Sequence, residues 1–573
     1  MKKRKGIVLV VSLMVLATIL ILISVYFTGL ITEKRSVDTE RYVLQALNLA
    51  EAGTSQALSE LRRRVRTDLN TQLKNVSQSS VIMNYVTNND ALGFLHDYVF
   101  AAGSAQFTVS GGEATLTVSP LALNSNVQGN YSGSIKITSA VAPTNPRIEV
   151  YKFYYNYSIA GSGAVTKTTP STTKNIGLIS GSFAITVNRE NFARFALFTN
   201  HHRTTGNTVV WFTADTNFTG PVSTNERFSF AHNPSAHFTE EVTQHNQMAR
   251  FYNNGHEEYK DADYYSYIDH MGQEVITDRP VFDKEFERSY DIINLESSIN
   301  QNDLKTQALG GTSEPGSNGI YVPNDGTSVI GGIYIRGNQG NNNDNPVITM
   351  STIATGPVYT ISRGTTETKV ITVNYTTQQT TILSGGVSQT YNGIPNGVGN
   401  EGIIIYANDD IGGFSGTVNK DTLITVSSER DINISGNVLY EQYNASPLNA
   451  TSYTNVLGIL SWGGDVIINS AAPDNVQIHG VVMAPHGVFT VDNYNSGGYR
   501  GIATLLGGAI TDFYGPFGTF GGHSGQTGYG RNFVYDYRML QGTTPPYFPY
   551  LSNFTSNDDG GLDNALIWQD KGI

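Results

Sequence analysis

The hydrophobic pattern passes through three regimes along the chain, and each predicts a different element. From Ile7 to Ile31 no residue is charged. Lys2, Lys3, Arg4 and Lys5 precede the run, and Glu33, Lys34 and Arg35 end it. A helix needs roughly 20 apolar residues to cross the hydrocarbon core of a bilayer, so this run predicts one transmembrane helix over 7–31. Further on, Leu44, Leu47, Ala57, Leu58, Leu61, Val65 and Leu69 recur at three- and four-residue steps, one stripe of an amphipathic helix. Glu40, Arg41, Glu60, Arg62, Arg63 and Arg64 fall mostly off that stripe, and no Pro interrupts residues 1–70. The helix is therefore expected to continue over 32–75. About 60 such residues would extend on the order of 90 Å.

From residue 90 the period changes to two. Gln106–Val109 and Ala114–Val118 flank Gly111-Gly112 and predict a hairpin, with further strands at Gly133–Thr138, Ile148–Ile159 and Phe183–Val187. A long helix followed by an antiparallel sheet predicts a head over 90–195 in which the helix stripe covers one sheet face. The Thr/Ser-rich stretch 161–175 reads as a loop, and a short helix is predicted over Leu295–Leu309.

The third regime is a repeat: an apolar strand, a polar turn, Asp or Gly, then a second short strand. Copies stand at Ile404–Ile411, Thr425–Gly436, Ile459–Ile468, Met483–Val491 and Thr504–Ile510. Aligned on Asp410, Asp431, Asp465, Gly487 and Gly508, they step by 21, 34, 22 and 21 residues. That period suits a solenoid, whose coils bury their inward residues only against neighbouring coils. The long step holds the polar insertion Glu441–Asn455. Earlier coils are expected at Val329–Ile335 and around Phe218–Phe230, and a hairpin at 365–384. The aromatic, Pro-rich end, including Tyr535-Asp536-Tyr537-Arg538 and Pro545-Pro546-Tyr547-Phe548-Pro549, would cap the last coil. The expected fold is mainly β: a long N-terminal transmembrane α-helix, a small β-sheet head, and a right-handed parallel β-helix. Its sections are a basic leader 1–6, the membrane helix 7–31, its continuation 32–75, the head 90–195, the first coils with an acidic excursion 196–310, the β-helix and cap 311–550, and a loose acidic tail 551–573.

Composition narrows the function classes. In 573 residues there are 59 Gly and 32 Tyr, only 15% of residues are charged, and the net charge is −12. A negative surface argues against general nucleic-acid binding. The absence of Cys excludes disulfides, thiolate metal sites, thiol catalysis and a lipid anchor on Cys.

The leader Lys2–Lys5, Gly6 and the long apolar helix directly after it resemble the start of type IV prepilins, whose peptidase cuts after that Gly. A cleaved secretory signal is the competing reading, but it would have a shorter apolar core and a small-residue cleavage site, which Tyr26-Phe27-Thr28-Gly29-Leu30 does not offer. An uncleaved anchor is the third reading. Its basic flank would leave the N-terminus in the cytoplasm and the body outside. Val11 stands where type IV pilins usually carry Glu. The stretch Gln45–Gly53, with Ala50-Glu51-Ala52-Gly53, resembles the N-terminal domain of PilX-type minor pilins over about 65 residues. Ala50, Ala52 and Gly53 would admit a close neighbour, and Glu51 would be free to pair with another subunit. Gly220-Pro221-Val222-Ser223-Thr224-Asn225 resembles a word of an uncharacterised domain often found after that N-terminus, with Ser223 in place of His.

These resemblances imply a single-pass membrane protein of a type IV pilus-like system, processed at Gly6-Ile7 and incorporated in a surface filament. Its partners would be inner-membrane lipid, other pilin-like subunits, the prepilin peptidase and the assembly machinery. A surface glycan is a further candidate partner, and nucleic acid is not one. Two alternatives remain: a tethered adhesin outside any filament, and a tethered carbohydrate-active β-helix enzyme. For the last, Asp410, Asp431 and Asp465 would stack at one corner, either as turn residues, as Ca²⁺ ligands or as catalytic carboxylates. The His cluster (His201, His202, His232, His237, His245, His256 and His270) lacks metal-binding spacing and reads as surface and turn residues. Tyr, Asp and Glu crowd 250–295, at Glu257, Glu258, Asp261, Asp263, Tyr264, Tyr265, Tyr267 and Asp269, which reads as a solvated excursion or a glycan-contacting loop. No nucleophile elbow, phosphate-binding loop or zinc motif appears. The expectation is a non-enzymatic protein without a cofactor.

Overall fold

The computed structural model describes residues 4–76, 78–100, 107–118, 129–147, 149–165, 172–214, 216–231, 236–295, 301–338, 342–365, 367–442, 454–519 and 526–563. The chain is mainly β, with one long apolar N-terminal helix. It divides into two compact units: 1–189 together with 553–573, and 190–552.

In the first unit, helix α1 runs Arg4–Arg63 and continues through a π-helical turn, Arg64–Asp68, into Leu69–Leu73. From Ile7 to Ile31 its large apolar side chains are exposed, and its most apolar window has a mean hydropathy of 3.1. This helix is long and apolar enough to span a membrane. Beyond it, short helices at Ser79–Thr87 and Ala91–Phe94 lead to strands β1 (Phe107–Ser110), β2 (Glu113–Val118), β3 (Gly129–Arg147), β4 (Val150–Val165) and β5 (Thr172–Asn191). All four neighbouring pairs are antiparallel. Gly111 and Gly112 supply the positive φ of the β1–β2 turn. Phe153, Tyr155, Ile185 and Val187 pack with Leu58, Leu61, Val65 and Leu69 in one core.

Three expectations are corrected here. Leu44 and Leu47 are exposed, while Ala46, Leu49 and Ala50 are buried, so the covered face departs from the expected stripe before residue 50 and follows it from Ala57 to Leu69. The stretch 161–175 is not a single loop: Gly161–Val165 ends β4 and Thr172–Asn175 starts β5, with 166–171 outside the described residues. The tail begins as a strand, Tyr550–Asp558, which adds to β5 as the sixth strand of the sheet. Arg66 pairs with Asp558 at 2.8 Å and Asp563 at 2.7 Å, and the Asn70 side chain accepts from Ser556 N at 2.7 Å.

The second unit is dominated by parallel pairing. One ladder joins ten strands, and its buried column runs Ile333, Ile405, Val426, Ile459, Val482, Ala509, Leu197, Val222, Val242, Phe286. A second ladder stacks Ile411, Ile432, Val466 and Phe489. A third stacks Val438, Ile478, Leu505 and Phe533. Among the early strands, Phe218, Phe238 and Phe282 form a column of stacked rings, 5.8 and 5.3 Å apart between centroids.

The ladder order is not the chain order. Strand Leu197–His201, the first of the unit, pairs on one side with Val222–Thr224 and on the other with Tyr499–Phe513. The stack thus consists of two arms that meet at a seam, Leu197 beside Ala509. Helix Gln301–Leu309 packs at the far end of the second arm, where Gly332 N donates to Ala308 O at 3.0 Å. An antiparallel sheet of five strands leaves that arm: Pro346–Ile353, Gly356–Arg363, Glu367–Asn374, Gln379–Ser384 and Val387–Asn392. It contains the hairpin expected at 365–384.

The aromatic end does not close the last coil. Tyr535 OH donates to Arg194 O, Arg538 reaches Asn455 O at 3.0 Å, Thr425 donates to Pro546 O, and Tyr547 OH donates to Asn396 O. Residues 535–549 are therefore a strap laid along the flank of both arms. Most of the insertion, 443–453, lies outside the described residues.

Candidate functional site

In the first unit the motif Ala50–Gly53 divides between two sides of α1. Ala50 and Gly53 face the sheet, Glu51 is half-exposed and Ala52 is exposed. The sheet answers with glycines. A Cβ on Gly53 would lie 2.9 Å from the Ser132 carbonyl carbon, and one on Gly133 would lie 2.7 Å from that of Gly53. One on Gly161 would meet Thr54 Cγ2 at 2.7 Å, and one on Gly163 would meet Leu49 Cβ at 2.6 Å. Helix backbone and strands β3 and β4 thus touch without side chains between them. The candidate processing pair, Gly6 and Ile7, lies on α1 just after its start at Arg4, and Ile7 and Val11 are exposed. Below the motif, Arg63 first and then Arg64 hold the Glu60 carboxyl below its usual range.

In the second unit the three corner carboxylates do come together. Asp431 N donates to Asp410 Oδ1 at 3.0 Å, Asp465 N to Asp431 Oδ1 at 2.8 Å, and Val488 N to Asp465 Oδ1 at 2.8 Å. Each carboxylate caps the backbone of the next turn. Burial pushes the Asp431 carboxyl up, and the charges of Asp410 and Asp465 add to this, against the Asp465 N–H and Arg430. Asp409, 1% exposed, is also pushed up by burial, and its Oδ2 has no hydrogen-bond partner. Among the described residues no group of three or more His, Asp and Glu is arranged to hold a metal. Gly508, aligned with this corner by sequence, lies mid-strand opposite Val481. The corner itself comes later, near Tyr514.

Two polar clusters escaped the sequence reading. At the helix-capped end, Glu314 accepts from Tyr334 OH at 2.6 Å and Arg336 at 3.0 Å and pairs with Lys305 at 2.7 Å. Lys305 also faces Glu429 at 3.5 Å, and Glu429 accepts from Tyr406 OH at 2.9 Å. Glu314 and Glu429 are 115 residues apart along the chain, so only the strand register brings them together. On the seam strand, His201 lies between Glu226 at 3.0 Å and Asp512 at 3.8 Å and stacks on Phe513.

The histidines as a group are not all surface residues. His202 is buried among Phe212, Phe228 and Tyr514, and burial pushes its imidazole down to about 3. His479, outside the cluster, is buried too and pushed down to about 4. His232 lies outside the described residues. In the acidic excursion, Arg288 gathers Asp261 at 2.8 Å and Asp263 at 2.7 Å, and Tyr265–Ile268 pairs with Glu274–Asp278 as a hairpin. The resembling word Gly220–Asn225 is structural in this geometry: Val222–Thr224 is a ladder strand, and the Asn225 side chain bonds both backbone groups of Ile293.

The chain is thus mainly β, and among the described residues one helix, at the N-terminus, is long and apolar enough to cross a membrane. A family model described as a domain of unknown function (DUF4900) matches residues 151–246, from β4 to the ladder strand Val242–Gln244. No curated protein and no solved structure matches the chain.

Proposed function

We propose that the protein is a structural component of a type IV pilus-like system, a minor pilin or pseudopilin that carries a large body outside the membrane. One observation carries this reading. Helix α1 is bare and apolar over its first half and is pressed by Ala46, Ala50 and Gly53 onto an antiparallel sheet over its second. That is the construction of a pilin subunit, in which one half of the helix enters the membrane or a filament core and the other half carries the head. The basic residues Lys2–Lys5 orient the N-terminus to the cytoplasm. Prepilin peptidase would cut between Gly6 and Ile7, and Glu51 would be available to a neighbouring subunit. The stacked ladders are read as coils of a right-handed parallel β-helix, presented for filament assembly or adhesion, and the function requires no catalysis.

Mass spectrometry of the mature N-terminus, in cells holding a prepilin peptidase, tests the proposal. A chain beginning at Ile7 supports it, and a chain beginning at Met1 counts against it. The apolar Val11, exposed on α1, favours a second reading in which the protein is a tethered adhesin outside any filament. Antibody labelling of sheared surface filaments separates the two.

A further inference from the structure

The five-stranded antiparallel sheet of the second unit ends in an unprotected edge. Its last strand, Val387–Asn392, pairs on one side with Gln379–Ser384, with no bulge in the register. On the other side it is covered only at Asn392, which donates to Thr327 O at 2.9 Å and accepts from Val329 N at 2.8 Å. Backbone N–H and C=O of one residue point to the same side of a strand, and successive residues alternate. Thr390 and Ser388 therefore point their backbone groups the same way as Asn392. The turn agrees, because Ser384 and Val387 flank a two-residue Gly385-Gly386 loop with φ of 55° and 81°, and such flanking residues bond each other. Among the described residues nothing meets the outward groups of Ser388 and Thr390, and 387–390 are exposed.

Edge strands are normally blunted by charge, Pro or a bulge. This one has none. Across residues 346–392 the only charged side chains are Arg363, Glu367 and Lys369, and these are ion-paired away from the edge. The other end of the main ladder contrasts with it, since strand Phe286–Glu287 has Lys284, Glu285, Glu287 and Arg288 around it. In a chain of net charge −12, like-charge repulsion opposes self-association over most of the surface, whereas residues 387–392 carry no charge of their own.

We infer that Val387–Asn392 pairs with the same strand of a second copy, antiparallel, about a two-fold axis at Gln389. That register alone uses every free group. Ser388 faces the partner's Thr390 and Thr390 the partner's Ser388, each pair exchanging two N–H···O bonds. An axis at Thr390 would instead need Asn392, which residues 327–329 already occupy. The length also fits, because the partner strand turns away at its Gly385-Gly386 where those residues begin to cover the edge. Gln389 then opposes its own copy in a non-hydrogen-bonded pair, and Val387, 63% exposed, covers the partner's Tyr391 twice over. Aromatic and β-branched side chains are favourable cross-strand neighbours.

The chain has no Cys, so an introduced thiol reports its own position. Residues in a non-hydrogen-bonded pair have Cα atoms about 4.5 Å apart, within disulfide reach. The full chain in detergent carrying Gln389→Cys is expected to form a disulfide-linked dimer under mild oxidation. Mixed Val387→Cys and Tyr391→Cys chains are expected to cross-link to each other more than either does to itself. Gln389→Lys, which places like charges opposite one another and leaves the hairpin intact, should abolish the mixed cross-link. Ser388→Pro, which removes only an outward N–H, should do the same. The inference is overturned if Gln389→Cys cross-links no more than Ser496→Cys in an exposed turn. It is overturned equally if the mixed pair shows no preference, or if Gln389→Lys leaves its cross-link unchanged.

Discussion

Replacing Gly53 by Ala sets two effects of opposite sign against each other. Ala is preferred to Gly inside a helix by about 1 kcal/mol, so propensity alone predicts a more stable first unit. The packing predicts the reverse. The new methyl would lie 2.9 Å from the carbonyl carbon of Ser132, and its oxygen is nearer still. Neither neighbour is a flexible side chain, so β3 and α1 must separate. Gly133, whose own Cβ would lie 2.7 Å from the Gly53 carbonyl carbon, shows that the approach is equally tight from the other side. Overpacking costs about 1–3 kcal/mol, and contact with backbone on both sides belongs at the upper end. The net expectation is a loss of about 2 kcal/mol after the propensity gain. For a unit of this size that lowers the transition by about 4–8 °C.

The assay is hydrogen exchange of β3 and β4 peptides in the full chain, followed against denaturant. Exposed Ala52 is the internal reference: Ala52→Gly should lose about 1 kcal/mol through propensity alone. If Gly53→Ala stabilises β3 and β4, or leaves their protection unchanged, the glycine contact is not what holds helix to sheet.

The buried pair Asp536–Arg538, 2.5 Å apart and each under 5% exposed at the side chain, gives the second expectation. Arg538→Met should cost about 3–5 kcal/mol by stranding a carboxylate, and adding Asp536→Leu should recover much of that in chemical denaturation. For His202 and His479, lowered to about 3 and about 4, the native state binds fewer protons than the unfolded state below pH 6.5. Stability should therefore fall as pH drops from 6.5 towards 4. Denaturant midpoints for His202→Phe should fall less steeply than wild type over that window, and parallel curves would refute the assignment. Asp409 has the opposite sign. Its raised carboxyl costs stability at neutral pH, so Asp409→Asn should melt higher than wild type at pH 7, and the gain should vanish once wild-type Asp409 is protonated in acid.

How far the sequence could be read depends on how local the cause of each feature is. The bare helix follows from 25 consecutive uncharged residues (7–31), and the β1–β2 hairpin from Gly111-Gly112 between alternating runs. The Asp corners were legible as a stack because the acceptor for each backbone N–H recurs at the same point of each turn. Leu44 and Leu47 mislead because, in this part of the helix, large apolar residues do not mark the covered face. Ala46, Ala50 and Gly53 mark it instead, and their meaning depends on glycines at 133, 161 and 163. The strand Tyr550–Asp558 is hard to read from sequence for a similar reason. Its own sequence is polar, and it is held by Arg66 and Asn70, almost 500 positions away. The Glu314–Lys305–Glu429 cluster has no local signal at all.

The seam between the two arms is the feature least visible from sequence and the one with the widest consequence. Leu197 is the first of the ladder residues along the chain, yet its second neighbour, Ala509, follows 312 residues later. Until that strand arrives, the edge of Leu197–His201 is an open row of parallel-sheet donors and acceptors. Closing so long a loop costs only a few times RT more than closing a short one, so the arrangement is thermodynamically affordable but late. The strap arrives later still, and it bonds to both arms: Tyr535 to Arg194 in the first, Thr425 and Asn396 to Pro546 and Tyr547 in the second. Directly after it comes Tyr550–Asp558, which completes the sheet of the first unit. The last thirty described residues thus finish both units, each independently of the other. Neither unit therefore reaches its final pairing until residues 535–558 have joined it.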